Sequence, residues 1–191
     1  MKKILIGTHN KGKFKEIAYL ISKKYKKISP VSLKIKSPKE TGNSFKSNSK
    51  LKVNFFSKFV DYPVISDDSG LCIKALNNKP GIYSARLAKK YGGFFKAMKF
   101  ILKKMEKTKN RRAVFVCSLS YKNIKGKIVT VVGKLEGNIS NKILGKRGFG
   151  YDPIFIPLNK KITFGQMLKS KKIKMDHRYK AFQKLKKKIK I

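Results

Sequence analysis

The stretch Ser66-Asp67-Asp68-Ser69-Gly70 sets two carboxylates side by side between two apolar runs, Val64-Ile65 and Leu71-Cys72-Ile73. The apolar runs read as short buried strands. Charges between buried segments are costly unless a cation or a specific partner balances them. One reading is a metal-binding and catalytic carboxylate at a strand end. The other is a polar turn, since Asp, Ser and Gly favour turns and Gly70 supplies the freedom for a sharp local conformation. If the pair is extended, its side chains point to opposite faces and do not easily share one ion. Each then needs another partner. Glu40, in a loop, is an available carboxylate, so a Glu40–Asp68 or Glu40–Asp67 pair is a candidate magnesium site, with phosphates and waters completing the shell.

Three other stretches carry chemistry. Thr8-His9-Asn10-Lys11-Gly12-Lys13 is a polar turn between an apolar run and a helical pattern. A strand–turn–helix start presents free N–H groups and a positive dipole end to a phosphate, and Lys13 adds a point charge. The turn lacks the glycine and Lys-Ser/Thr spacing of a Walker A loop. Gly145 to Pro153 is glycine-rich, with Phe149, Tyr151 and Asp152; it reads either as a loop that approaches a ligand and stacks a ring on a base, or as an irregular connection with packed aromatics. Asp176-His177-Arg178 stands near the start of a last helix, where an anion is welcome.

The elements that must position these residues follow from periodicity. Lys3 to Gly7 is a first buried strand, followed by a helix capped by Asn10 with Phe14, Ile17, Ala18 and Ile21 at helical spacing. Residues 29–37 alternate loosely and read as a second strand. Ser44 caps a helix whose apolar stripe is Leu51, Phe55 and Phe59, with Asn48 and Lys52 one turn apart on a single face. Phe94, Phe95, Met98, Ile101, Leu102 and Met105 give the clearest amphipathic helix. Residues 113–121 and 127–135 form the best hairpin, Ile154 to Ile156 a short strand, and Phe182 and Leu185 mark the closing helix.

The 191 residues suit a single domain over 1–191. Lys and Arg number 49 against 9 Asp and Glu, a net charge of +40. Such a charge points to nucleic acid or an anionic membrane, but the lysines run along almost the whole chain rather than in one patch. Together with the abundance of Asn, Ile, Phe and Tyr, that is the bias of an AT-rich genome. If drift has replaced dispensable acids with lysine, the survivors Glu16, Glu40, Asp61, Asp67, Asp68, Glu106, Glu136, Asp152 and Asp176 are enriched in needed ones. Cys72 and Cys117 each sit in an apolar run, as reduced cytosolic thiols would, and no Cys/His spacing suggests zinc. The apolar run after Met1 is too short for a signal peptide, and none is long enough to span a bilayer.

Taken together, the motifs resemble the inosine triphosphate pyrophosphatase family from Lys3 to about Leu185. The resemblance rests on Thr8 to Lys13, Glu40-Thr41-Gly42 with Asn48 and Lys52, Ser66 to Leu71, Pro80 to Arg86, Gly148 to Pro153, and Lys172 with His177-Arg178. It implies an α/β fold, an elongated mixed β-sheet flanked by helices, in two lobes with an active-site cleft between them. It also implies Mg²⁺-dependent hydrolysis of ITP, dITP and XTP to the monophosphate and pyrophosphate, by a cytoplasmic homodimer with no membrane or specific nucleic-acid partner. By the same resemblance Asp68 is the general base and a metal ligand, and Glu40 helps hold metal. The turn Thr8, His9, Asn10, Lys11, Gly12 and Lys13, with Lys52 and Ser69, binds phosphates. Phe149 stacks on the purine, Asp152, Lys172, His177 and Arg178 read its polar edge, and Gly150 and Tyr151 are further substrate-binding residues. The departure with most bearing is Asp176, where the family pattern expects Ser. A pyrophosphatase for other modified nucleotides and a basic nucleic-acid-binding protein are the alternatives.

Overall fold

The computed structural model describes residues 1–189. Its strands are β1 (Lys2–Ile6), β2 (Tyr25–Ile28), β3 (Val64–Ile73), β4 (Arg112–Lys122), β5 (Ile128–Ile139) and β6 (Phe155–Pro157). Its helices are α1 (Lys11–Leu20), α2 (Phe45–Phe56), α3 (Ser84–Lys90), α4 (Phe94–Lys104), α5 (Lys169–Lys172) and α6 (His177–Lys186). The strands form one sheet in the order β2-β1-β3-β4-β5-β6. β1 runs parallel to β2 and to β3, with Ile6 opposite Ile65, whereas β5 and β6 are antiparallel. The sheet is therefore mixed, and the α/β class expected from the sequence holds.

The central acids lie inside one ten-residue strand, not in a turn between two short ones. Gly70 has no left-handed conformation; its requirement is space. A Cβ there would lie 2.1 Å from the Gly81 carbonyl oxygen and 2.5 Å from Ser84 Oγ. The second strand also differs: β2 ends at Ile28, and the chain turns at Pro30–Lys34 where residues 29–37 were expected to extend. Loose alternation there reflects a turn with scattered apolar residues.

Chain contacts gather into two compact units. The first comprises residues 1–68, 117–133 and 178–191, and the second 69–116 and 134–177. The first holds two apolar clusters. One packs Ile4, Ile6, Ile17 and Ile65 against Cys117, Leu119, Phe182 and Leu185. The other joins Leu5, Val53, Phe56 and Val64. The buried face of α2 is not the expected Leu51-Phe55-Phe59 stripe: Phe59 is exposed and lies past the helix end, while Asn48, Ser49, Lys52, Val53 and Phe56 are buried. Ser49 Oγ lies 2.8 Å from Ser118 Oγ and 2.9 Å from Ser120 Oγ, so hydroxyl pairing docks this helix as much as apolar packing does. The second unit has a larger apolar core, in which Ala97, Met98, Ile101 and Met105 of α4 meet Leu71, Ile73, Phe115, Phe155 and Phe164. The amphipathic pattern of α4 is used as expected.

The close approach at Gly70 yields a direct expectation. Gly70→Ala must push the Gly81 turn off β3, at a cost of about 1–3 kcal/mol, and a urea unfolding curve of the variant should show that loss.

Candidate active site

β3 delivers the site in the first unit, and its alternation sends the two acids apart. Asp67 is fully buried. Lys13 Nζ lies 3.2 Å and Arg178 Nε 3.4 Å from Asp67 Oδ2, and Arg178 Nη1 also donates to Glu16. Three cation–carboxylate contacts thus link α1, β3 and α6. Burial of this kind is tolerable because the charges face opposite charges at hydrogen-bonding range.

Asp68 has a different environment. Asn48 Nδ2 donates to its Oδ2 at 3.1 Å. Burial, first, raises its pKa from 3.8 to about 6; the nearby Glu40 charge adds to the rise, and Lys13, Lys52 and the Asn48 hydrogen bond oppose it. Asp68 is thus a carboxylate of unusual basicity, still mostly ionised at pH 7. Lys52 Nζ contacts Glu40 Oε1 at 3.2 Å and donates to the Asp67 carbonyl oxygen at 2.7 Å.

The turn before α1 is fixed by its own side chains. Asn10 Oδ1 caps α1 by accepting from the Lys13 N–H at 3.0 Å, and Thr8 Oγ1 accepts from the Asn10 N–H at 3.2 Å. The cap occupies one of the four N–H groups that a helix start leaves unpaired. Lys11 is exposed and Gly12 half-buried at this end. His9 is exposed and its Nε2 lies 2.9 Å from the Ile35 carbonyl oxygen, so its ring is engaged with the loop after β2.

The metal question turns on donor chemistry. Among the described residues no group of three or more His, Cys, Asp or Glu could cage an ion. Asp68 and Glu40 nevertheless feel each other's charge. In the connected set, the carboxylates Glu16, Glu40, Asp67 and Asp68 face the cations Lys13, Lys52 and Arg178, leaving one negative charge. Two hard oxygen donors with a local negative excess fit Mg²⁺, which takes one or two carboxylates and fills its shell with phosphate and water.

The second unit gathers Phe149, Asp152, Lys172 and His177. Asp152 and Lys172 are both buried, with Lys172 Nζ 2.6 Å from Asp152 Oδ2. The Phe149 N–H donates to the same carboxylate at 2.8 Å, and Lys172 Nζ lies 4.8 Å from the Phe149 ring centroid. Gly148, at φ +76°, makes this possible: a Cβ would fall 2.0 Å from Asp152 Oδ2. The buried ring of His177 stacks on Phe115, centroids 4.8 Å apart. Gly150 is half-buried at φ +67°. Ser69, half-buried, opens this unit next to Asp68.

Tyr151 and Arg178 are both held by protein partners. The Tyr151 ring is in the core and its hydroxyl donates to the Ser84 carbonyl oxygen at 2.9 Å; burial pushes the phenol pKa up strongly. Arg178 belongs to the first unit, on Asp67 and Glu16, because consecutive helical residues project about 100° apart and it diverges from His177. Asp176 is fully buried, and its N–H bonds the Lys172 carbonyl oxygen. The sequence assigned no role to Glu16 or Asp67 in this network, nor to Phe115 beneath His177. The scarcity of acids was the available signal for the first two.

The contrast between the two aspartates makes opposite predictions for charge removal. Asp67→Asn strands Arg178 and Lys13 beside a neutral group, and should cost about 3 kcal/mol in urea unfolding. Asp68→Asn should stabilise. A folded-state pKa raised from 3.8 to about 6 means that ionisation opposes folding. The opposition is absent below about pH 4 and complete above about pH 6, where it approaches 3 kcal/mol. With chelator present, the gain of Asp68→Asn over the parent should therefore be large at pH 8 and vanish near pH 4.

Comparisons with known proteins place the chain among relatives. The Ham1 family model matches residues 4–188. A dITP/XTP pyrophosphatase of Caulobacter vibrioides is 39% identical over 186 residues, covering 96% of each chain. One of Borrelia duttonii is 40% identical over 197 residues, covering 98% of this chain and 96% of its own. The Ham1 protein of Staphylococcus aureus superposes with a TM-score of 0.86 at 34% identity over 97% of both chains. A HAM1 protein from Coxiella burnetii gives 0.86 at 30% identity over 98% of both. With a match over nearly its full length and relatives well above 30% identity, the chain belongs to the Ham1 family.

Proposed function

We propose that this protein hydrolyses the triphosphates of deaminated purines, ITP, dITP and XTP, to the nucleoside monophosphate and pyrophosphate. The observation that carries the reading is Asp68. It is a buried carboxylate with a pKa pushed up to about 6, oriented by Asn48 and flanked by Lys13 and Lys52. In the metal-free site such a group takes a proton from water at neutral pH more readily than an ordinary carboxylate does. The names of the curated relatives support the substrate class.

In this mechanism the N–H groups at the start of α1, with Lys13 and Lys52, hold the phosphate chain. Asp68 orients a water toward the α-phosphorus and accepts its proton. A bond forms from the water oxygen to phosphorus, the bond to the bridging oxygen breaks, and pyrophosphate departs with that oxygen. Lysines at the phosphate chain stabilise the charge that builds on the leaving group. Asp68 and Glu40 would hold Mg²⁺, whose charge offsets that of the phosphates and lowers the pKa of bound water. The proton on Asp68 then returns to solvent.

Purine reading is a separate task. Phe149 offers a ring for stacking, and Lys172 and His177 offer donors to the base oxygen. Adenine carries an amino donor where hypoxanthine and xanthine carry that oxygen. A buried donor left without its acceptor costs about 1–3 kcal/mol, or roughly ten- to a hundredfold in selectivity. Asp152 holds Lys172 in place. We infer further that the enzyme works as a cytoplasmic homodimer on the nucleotide pool. No helix of the described residues is long and apolar enough to cross a membrane.

The test is pyrophosphate release from dITP, with and without Mg²⁺, beside ATP and GTP. Metal-dependent turnover of dITP well above ATP is expected. Asp68→Asn should lower it by at least about a hundredfold, and a variant with parental turnover would reject Asp68 as the base. Preference for another modified nucleotide would move the chain to the related reading.

A further inference from the structure

Two side chains one turn apart on α2 each bridge the Glu40 loop to β3. Lys52 does so through charge, from the Glu40 carboxylate to the Asp67 carbonyl oxygen. Asn48 does so through its amide. The Gly42 N–H donates to Asn48 Oδ1 at 2.8 Å, and Asn48 Nδ2 donates to Asp68 Oδ2 at 3.1 Å. We propose that Asn48 is a positioning residue for the metal site, clasping the Glu40 loop to Asp68 so that both carboxylates are set before the cation arrives. The inference rests on the reading of Glu40 and Asp68 as the metal-binding pair.

Several features converge on this role. Asn48 is fully buried, so its polar atoms must be spent on protein partners. The backbone N–H of Gly42 is purely a donor, which fixes the oxygen of the amide toward the loop and the nitrogen toward Asp68. The reverse orientation would set donor against donor. A side chain of this size with both a donor and an acceptor is needed: Leu offers neither and Asp offers no donor. The loop also approaches the helix closely, for a Cβ on Gly42 would lie 2.6 Å from Asn48 Oδ1 and 2.4 Å from Ser47 Oγ. The turn that presents Asn48 is itself fixed. Ser44 Oγ accepts from the Ser47 N–H while Ser47 Oγ accepts from the Ser44 N–H, a reciprocal capping box. Partners of this kind behind metal-binding side chains change metal affinity by tenfold to a hundredfold.

Mn²⁺ serves as a paramagnetic stand-in for Mg²⁺, and its dissociation constant is read from the electron paramagnetic resonance of the free ion, without substrate. The chain has only nine acids, so background binding is low. Asn48→Leu removes both hydrogen bonds and should raise the dissociation constant at least tenfold. Gly42→Ala loosens the same clasp from the half-buried loop and should raise it too, even if Asn48→Leu folds poorly. Val53→Ala opens a cavity on the same helix without touching the clasp and should leave the constant within twofold. Parental binding in Asn48→Leu and Gly42→Ala, or an equal loss in Val53→Ala, would overturn the role of Asn48 while leaving the metal pair intact. Absence of Mn²⁺ binding in the parent protein would overturn the metal pair and the clasp together.

Discussion

The alternation of a single strand governs this site. Because successive side chains on β3 face opposite ways, Asp67 and Asp68 meet different surroundings despite being neighbours. Asp67 is absorbed by Arg178 and Lys13, and those contacts tie α1 and α6 to the strand. Asp68 emerges beside Asn48 and the Glu40 loop with less compensation, and burial leaves it basic. One acid ties α1 to the strand; the other keeps a carboxylate whose charge is less compensated. A slip of one residue in register would exchange the two roles.

Charge is distributed in the reverse of what the composition implies. The chain carries +40, yet five of its nine acids, Glu16, Asp67, Asp68, Asp152 and Asp176, are buried. Acids are rarely interior unless paired. Here Glu16, Asp67 and Asp152 pair with Arg178, Lys13 and Lys172. The abundant lysines are a solvated coat, as at Lys186, Lys187 and Lys188, which are all exposed. A local negative excess around Asp68 and Glu40 inside such a cationic protein is what a divalent cation bound with a triphosphate would meet.

Much of this was legible in the sequence, and the rest was hidden for physical reasons. The cap at Asn10, the helix at α4 and the hairpin of β4 and β5 follow from local chemistry and periodicity, which act over a few residues. The pairing of Asn48 with Lys52 on one face of α2 was visible from spacing, but not that this face is the buried one. Hydroxyl contacts to Ser118 and Ser120 stabilise a polar face that apolar counting assigns to solvent. The central acids favoured a turn by residue type, and sheet pairing overrode that preference. Arg178 is buried against acids of the first unit. Its position on Glu16, 162 residues away in the chain, is a tertiary fact with no local trace.

The most direct test of this account is a ¹³C NMR titration of the aspartate carboxyls in metal-free protein, with Asp68 assigned by its loss in Asp68→Asn. A midpoint of about 6 is expected for Asp68. A midpoint at or below the ordinary aspartate value of about 4 would show that β3 does not desolvate Asp68, and would contradict its assignment as the base.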